Sequence, residues 1–155
     1  MPQVGCVDPA KIDELLLEIQ HESDLFPEDS DESVTFAAGG VANTFSSWIE
    51  LAEDGNGTTF SSKVAEKGGH ISGLLIEALD TDDKRYLLEI AYGDDKVNVL
   101  RHRFIAWDTK KLNAVNFIRI RAEDIPAGET VYYRMKCETA LATCEISLRY
   151  HDHSS

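Results

Sequence analysis

Two hydrophobic patterns follow one another along the chain. In the first, four apolar residues recur at helical spacing between acidic residues: Ile12, Leu15, Leu16 and Ile19. Asp8 can cap the free backbone amides of this segment, and Pro9 suits the first position of a helix. The pattern predicts a helix over residues 9–21. Because so short a helix is marginal alone in water, its apolar stripe must pack on its own domain, on a second copy or on a partner.

From about residue 45, the pattern changes to short runs of β-branched and aromatic residues separated by turn-forming residues. The runs predict strands at 44–51, 58–64, 70–79, 85–92, 97–106, 116–122, 130–137 and 143–151. Each run has one apolar face, and no long helical pattern interrupts them. We expect an all-β fold, an antiparallel β-sandwich of jelly-roll type, preceded by the short N-terminal α-helix and an acidic linker.

The last two runs predict a hairpin of defined register. A tight turn at residues 140–141 pairs residues whose numbers sum to 281, which sets Cys137 opposite Cys144 and Met135 opposite Ile146. The apolar side chains of both runs then share one face. On that face the two cysteines are expected to be buried free thiols, with a cross-strand disulfide as the alternative.

Charge divides the chain near the change of pattern. Residues 1–40 carry ten acidic side chains and one basic side chain, whereas residues 41–155 carry eighteen and fourteen. The segment 22–33 is acid-rich and contains Pro27, which is typical of a solvated linker. We therefore expect an N-terminal helix and acidic arm at 1–40 and a β-sandwich domain at 41–155. The candidate partner contacts of the arm are its apolar residues Ile12, Leu15, Leu16, Ile19, Leu25 and Phe26.

The composition argues against several kinds of partner. A net charge of −13 opposes binding to nucleic acid or anionic lipid, because such partners are bound chiefly by neutralising phosphates with Lys and Arg. No apolar run approaches the roughly 20 residues that cross a bilayer. The N-terminus also lacks the basic and apolar regions of an export signal. We expect synthesis in a cytoplasm, no membrane partner and no nucleic-acid partner.

Motifs that carry chemistry are scarce. The sequence contains no G-x-S-x-G, H-E-x-x-H, Walker A or G-x-G-x-x-G pattern, so we expect no enzymatic activity and no cofactor. The acidic segments 54–57 and 80–83 fit turns better than cation sites. His151 and His153 would point the same way on a strand and could hold a transition metal, but a C-terminal tail is the simpler interpretation. No metal site is therefore predicted.

Aromatic residues offer a possible carbohydrate site, because β-sandwiches often bind sugars through exposed rings. The candidates are Trp48 and Trp107, with Phe104 and Tyr132 as further possibilities. Core packing is the alternative for each of them, since two scattered Trp residues do not make a binding platform.

The second part of the chain resembles a known class of protein. The strand 86–93 reads Tyr-Leu-Leu-Glu-Ile-Ala-Tyr-Gly, and the turn 125–128 reads Ile-Pro-Ala-Gly and leads into the two closing strands. With the strands at 47–51 and 71–76, this order resembles the small β-sandwich domains of virion accessory proteins in tailed bacteriophages. The resemblance covers residues 45–151.

The resemblance implies a structural role in a virion. The leading expectation is a non-enzymatic capsid decoration or cement protein, made in the host cytoplasm, that binds other virion proteins and above all the major capsid protein. It would assemble as a homo-oligomer, with a trimer favoured, and residues 1–40 would help to attach it. A carbohydrate- or receptor-binding module of a tail or collar fibre is the alternative, as is a neck or tail-completion component.

Overall fold

The computed structural model describes residues 23–106 and 117–153. In chain order its elements are β1 (Asp24–Phe26), β2 (Thr35–Ala37), β3 (Ile49–Glu50), α1 (Phe60–Lys63), β4 (Gly69–Leu79), β5 (Lys84–Tyr92), β6 (Val97–Ala106), β7 (Phe117–Arg119), β8 (Val131–Cys137) and β9 (Thr143–Asp152). The strands form two antiparallel sheets. Sheet A has the order β1-β9-β4-β7, with β2 also paired to β9, and sheet B has the order β3-β8-β5-β6.

The alternation of apolar and polar residues decides which side of each strand is buried. On β8, the odd-numbered residues from Val131 to Cys137 are buried and those between them are half-buried. On β9, the even-numbered residues from Cys144 to Tyr150 are buried. The inward sides of the two sheets meet in one hydrophobic core. The prediction of an all-β fold with two packed antiparallel sheets is confirmed.

Several predicted strands are confirmed with small changes at their ends, namely those at 70–79, 85–92, 97–106, 130–137 and 143–151. The strand predicted at 58–64 is wrong, because the short helix α1 lies there. Thr59 caps this helix by accepting a hydrogen bond from the Ser62 backbone N–H at 3.3 Å. Phe60 and Val64, which are spaced by one helical turn, are both buried.

The predicted hairpin between the last two strands is also wrong. β8 lies in sheet B and β9 lies in sheet A, so the chain between them crosses the sandwich. The inward sides were predicted correctly, and they now face each other across the core, where Cys144 Sγ lies 3.5 Å from Met135 Sδ. Alternation fixes the buried side of a strand but not the sheet to which it belongs. Cys137 and Cys144 are buried free thiols, as expected, and the disulfide alternative is wrong.

The segment interpreted as a solvated linker contributes to the fold. β1 and β2 both pair with β9, and Phe26, Val34, Phe36 and Ala38 are buried in the core. Sheet A therefore begins well before residue 41. The acidic composition of this segment is compatible with a place in the sheet, because its charged side chains point outward. The helix predicted over 9–21 lies outside the described residues. No helix in the described ranges is long and apolar enough to span a membrane.

Candidate functional site

Two rows of side chains cross the outer surface of sheet B. In the strand register, Arg134 of β8 lies beside Glu89 of β5, which lies beside Arg101 of β6. One step along the strands, the corresponding row is Lys136, Leu87 and Arg103. Because successive side chains alternate, these residues point away from the core. We call this surface the cationic face and define it by Arg85, Arg101, Arg103, Arg134 and Lys136.

Glu89 lies at the centre of the first row. Its side chain is 1% exposed, and it accepts hydrogen bonds at 2.8 Å from the Nε atoms of Arg101 and Arg134, one on each carboxylate oxygen. Such charge-assisted bonds are stronger than neutral ones and hold both guanidinium groups in place. One carboxylate thus fixes two cations, and the row keeps a net positive charge.

Aromatic rings hold the β8 end of the face. The Arg134 guanidinium carbon lies 4.2 Å from the ring centre of Phe45 and 4.5 Å from that of Trp48. The Lys136 ammonium lies 4.7 Å from the Phe45 ring centre. These are cation–π distances. The chain before β3 therefore folds over sheet B, where its rings restrict the positions of two cations.

A groove opens along the second row. It has a volume of about 270 Å³ and is lined in part by Leu87, Arg103 and Lys136. In the described ranges, no carboxylate oxygen lies within 4.0 Å of the Arg103 or Lys136 side-chain nitrogens. These two cations are therefore available to carboxylates of another molecule.

Glu138 also lines this groove. It accepts a hydrogen bond from the backbone N–H of Arg85 at 2.8 Å and forms an ion pair with the Arg85 guanidinium at 3.2 Å. The backbone hydrogen bond chiefly, together with the arginine charge, lowers the pKa of Glu138. The carboxylate therefore stays ionised and pairs with Arg85, so among the described residues Arg103 and Lys136 are the groove cations without a partner carboxylate.

The residues predicted as partner contacts of the N-terminal arm have different positions. Leu25 is 46% exposed, whereas Phe26 is fully buried. Phe26 packs edge-to-face on Phe60 with ring centres 5.3 Å apart. It is a core residue and cannot contact a partner. Ile12, Leu15, Leu16 and Ile19 lie outside the described residues.

The candidate sugar-stacking residues of the described ranges have different surroundings. Phe104 is buried and stacks on Tyr86, so its assignment to an exposed site is wrong. Trp48 is half-buried, with one side of its ring beside the Arg134 guanidinium. Tyr132 has the Lys96 ammonium 4.1 Å from its ring centre. Trp107 lies outside the described residues.

The acidic turns bind other parts of the same chain. The Asp54 carboxylate accepts hydrogen bonds from the Thr35 backbone N–H, the Thr35 hydroxyl and the Ser33 hydroxyl. The Asp80 carboxylate accepts hydrogen bonds from the hydroxyls of Tyr86 and Thr143. Both carboxylates therefore fasten loops to neighbouring strands.

The cationic face was not predicted from the sequence, although a signal for it exists. Arg101 and Arg103 are two residues apart on one predicted strand, and Arg134 and Lys136 are two residues apart on another. This spacing puts both residues of each pair on the same side of their strand, and their charge favours the solvent-facing side. That the two strands flank β5 in the same sheet is a fact of the tertiary structure alone.

A scan against protein-family models finds no matching family, and searches of curated proteins and of solved structures find no significant match to this chain.

Proposed function

We propose that this protein is a non-enzymatic structural protein of a tailed-phage particle, a capsid decoration or cement protein that docks through its cationic face on an acidic surface of the major capsid protein. The observation that carries the proposal is the concentration of five cations on one face of a chain whose net charge is −13. The resemblance of residues 45–151 to virion accessory proteins supports a location in the phage particle.

We also infer that the sandwich is a jelly roll. β1 and β2 both pair with β9, so together they fill one strand position, and the two sheets then have four positions each. From β2 onward, the chain changes sheet at every connection except the one between β5 and β6. This order fits a double-sheet jelly roll, an architecture that is common in viral capsid and lectin domains.

An acidic protein surface suits the cationic face better than a nucleic acid does. The cations cover a few strand positions, and a polyanion longer than this patch would meet the acidic remainder of the chain. Arginine and aromatic residues are also enriched among the side chains that contribute most to protein interfaces. Carboxylates of the partner would enter the groove between Arg103 and Lys136.

The role in a capsid requires many copies. We propose that the protein is made in the host cytoplasm, assembles as a homo-oligomer, most simply a trimer, and is then incorporated into the virion. Closed cyclic symmetry would present the cationic faces of all copies to the shell in equivalent positions.

The first test is the copy number of this chain in purified phage particles, measured by quantitative mass spectrometry. Hundreds of copies in a simple ratio to the major capsid protein would support a decoration protein. A handful to a few dozen copies would contradict it and favour a neck, tail or fibre component. Complete absence would contradict any place in the virion.

The second test concerns the cationic face itself. Particles lacking the protein are mixed with the purified chain, and bound protein is measured after sedimentation. The double variant R103E/K136E should bind far less than the parent, and added salt should weaken the parent's binding, because exposed charge pairs are screened. The matched control R121E reverses the charge of another exposed arginine outside the face. Equal binding by R103E/K136E and the parent would refute docking through this face.

A further inference from the structure

Three separate segments meet at the end of sheet A, far along the chain from one another. His70 lies near the start of β4, His153 directly follows β9, and Asp124 precedes Ile125 in the segment after β7. His70 Nδ1 lies 3.0 Å from His153 Nε2. Asp124 Oδ1 lies 3.8 Å from His70 Nδ1 and 3.9 Å from His153 Nε2. We call these three residues the histidine–aspartate cluster.

Backbone hydrogen bonds hold the three segments together. Gly69 and Ile125 exchange two of them, with N···O distances of 3.1 and 2.7 Å, and the His153 N–H donates to the Gly68 carbonyl at 2.9 Å. Gly68 has φ of +79°, and a Cβ at this position would lie 2.3 Å from the Ile125 carbonyl oxygen. Only glycine permits so close an approach. The cluster is therefore built on fixed backbone and not on a loose tail.

The three donor atoms are spaced like the ligands of one metal ion. A triangle with sides of 3.0, 3.8 and 3.9 Å has a circumradius of about 2.1 Å, the length of a Zn–N or Zn–O bond. A single point in the plane of the three atoms is thus at bonding distance from each of them. The same two nitrogens and one oxygen all lie within 4.8 Å of one another.

We propose that the histidine–aspartate cluster is a binding site for one divalent transition-metal ion of the Zn²⁺ class. Two imidazole nitrogens and one carboxylate oxygen match Zn²⁺ better than Mg²⁺ or Ca²⁺, which take oxygen ligands in larger number. The side chains of His70, His153 and Asp124 are 34%, 36% and 77% exposed, so an ion can enter from solvent and complete its coordination with water. The bound ion would fasten the end of β9 and the Asp124 segment to β4.

The competing explanation is a simple hydrogen bond between two neutral imidazoles, in which one ring donates and the other accepts. This bond would account for the two histidines. It does not require Asp124, whose oxygen is nearly equidistant from both ring nitrogens. The role of Asp124 therefore separates the two explanations.

The test is a calorimetric titration of Zn²⁺ into the full chain without an affinity tag. All proteins carry C6S, because Cys6 lies outside the described residues and its thiolate could bind zinc by itself. The parent should bind one Zn²⁺ per chain, and its melting temperature should rise with added Zn²⁺ but not with Mg²⁺. H153A and D124N should each weaken Zn²⁺ binding by at least about tenfold, because loss of residues that only support the metal ligands already weakens metal binding by about that factor.

H21Q is the matched control, since it removes a histidine that does not belong to the cluster, and it should bind like the parent. His153 follows the last residue of β9, so H153A should keep the far-ultraviolet circular dichroism of the parent. Absence of stoichiometric Zn²⁺ binding by the parent would refute the site. Unchanged binding by D124N and H153A would also refute it and would leave the imidazole hydrogen bond as the explanation.

Discussion

At the scale of single residues, Glu89 is the side chain on which the cationic face most depends. It is nearly inaccessible to solvent, yet it remains in place because two guanidinium groups supply hydrogen bonds to its two oxygens. The two cations differ in their contact with solvent, since Arg101 is 62% exposed and Arg134 is 30% exposed. Their exposure reduces the strength of the network below that of a fully buried ion pair.

We therefore expect E89Q to lower the free energy of unfolding by about 1–2 kcal/mol, because a neutral amide leaves two neighbouring cations uncompensated. Urea denaturation followed by fluorescence measures the change. E123Q, at an exposed carboxylate, should unfold at the urea concentration of the parent. An E89Q midpoint equal to that of the parent would show that the network contributes nothing to stability.

Tyr150 makes the stability of the sandwich sensitive to alkaline pH. Burial chiefly, with smaller contributions from nearby carboxylates such as Asp24 and Asp152, raises the pKa of its phenol from 10.0 to about 12. Because the folded-state pKa is the higher one, the contribution to stability is complete below pH 10 and is lost as the pH rises from about 10 to 12.

The urea midpoint of the parent should fall across this alkaline range, and Y150F should lose less stability over the same range. Phenylalanine keeps the edge-to-face contact with Phe60, whose ring centre lies 5.2 Å from that of Tyr150. Burial raises the pKa of Tyr86 and Tyr133 as well, so Y150F should reduce the pH dependence without abolishing it. Identical pH profiles for the two proteins would contradict the assignment to Tyr150.

At the scale of elements, the β8–β9 connection shows why an internally consistent register can still be wrong. A hairpin and a crossing between sheets both put the odd residues of β8 and the even residues of β9 in the core. The hydrophobic pattern is the same in the two cases. The choice depends on β5 and β4, which pair with β8 and β9 along most of their lengths.

Gly68 lies just before β4. We expect G68A to destabilise the protein by at least about 2 kcal/mol, because alanine would be strained at this positive φ and its Cβ would displace the Ile125 segment. G128A is the matched control. Gly128 has φ of +75° and open space where a Cβ would lie, so its replacement should cause only the backbone strain, about 1 kcal/mol. Chemical denaturation of both variants measures the difference, and equal losses would contradict a steric role for the Gly68–Ile125 approach.

At the scale of the whole molecule, the acidic N-terminal part and the strand-rich part are joined more closely than charge indicates. Phe36 lies edge-to-face on Tyr133 of sheet B with ring centres 4.6 Å apart. Phe26 and Phe36 are both fully buried. Truncation of one buried Phe costs about 3–5 kcal/mol, and a domain is stable by only about 5–15 kcal/mol in total.

A chain that begins at residue 41 should therefore fail to form the sandwich, whereas a chain that begins at residue 23 should fold. The shorter chain loses Phe26 and Phe36 and exposes the edge of β9 that β1 and β2 cover. Near-ultraviolet circular dichroism and cooperative urea unfolding distinguish the outcomes. A folded 41–155 chain would show that the first two strands are dispensable.

Much of the fold could be predicted from the sequence, because strand alternation is a local property. Five of the long strands, the buried sides of β8 and β9 and the burial of Cys137 and Cys144 follow from the period-two pattern. The same pattern predicted a strand at 58–64, where the structure has a helix. There Thr59 caps the helix, and the helical spacing of Phe60 and Val64 outweighs their β propensity. Charge was a poor guide at β1, since the acidic side chains of that segment point to solvent while Phe26 points inward.

By itself, the sequence determined which sides of the long strands face the core and that the described part of the chain is mainly β strand, because side-chain polarity and strand period act along a few neighbouring residues. Only the tertiary structure decided which strands share a sheet, and with it the two arrangements that bear on function. The rows of the cationic face need β8, β5 and β6 side by side. The histidine–aspartate cluster needs residues 70, 124 and 153 within a few ångströms, and no local pattern encodes contacts over such separations.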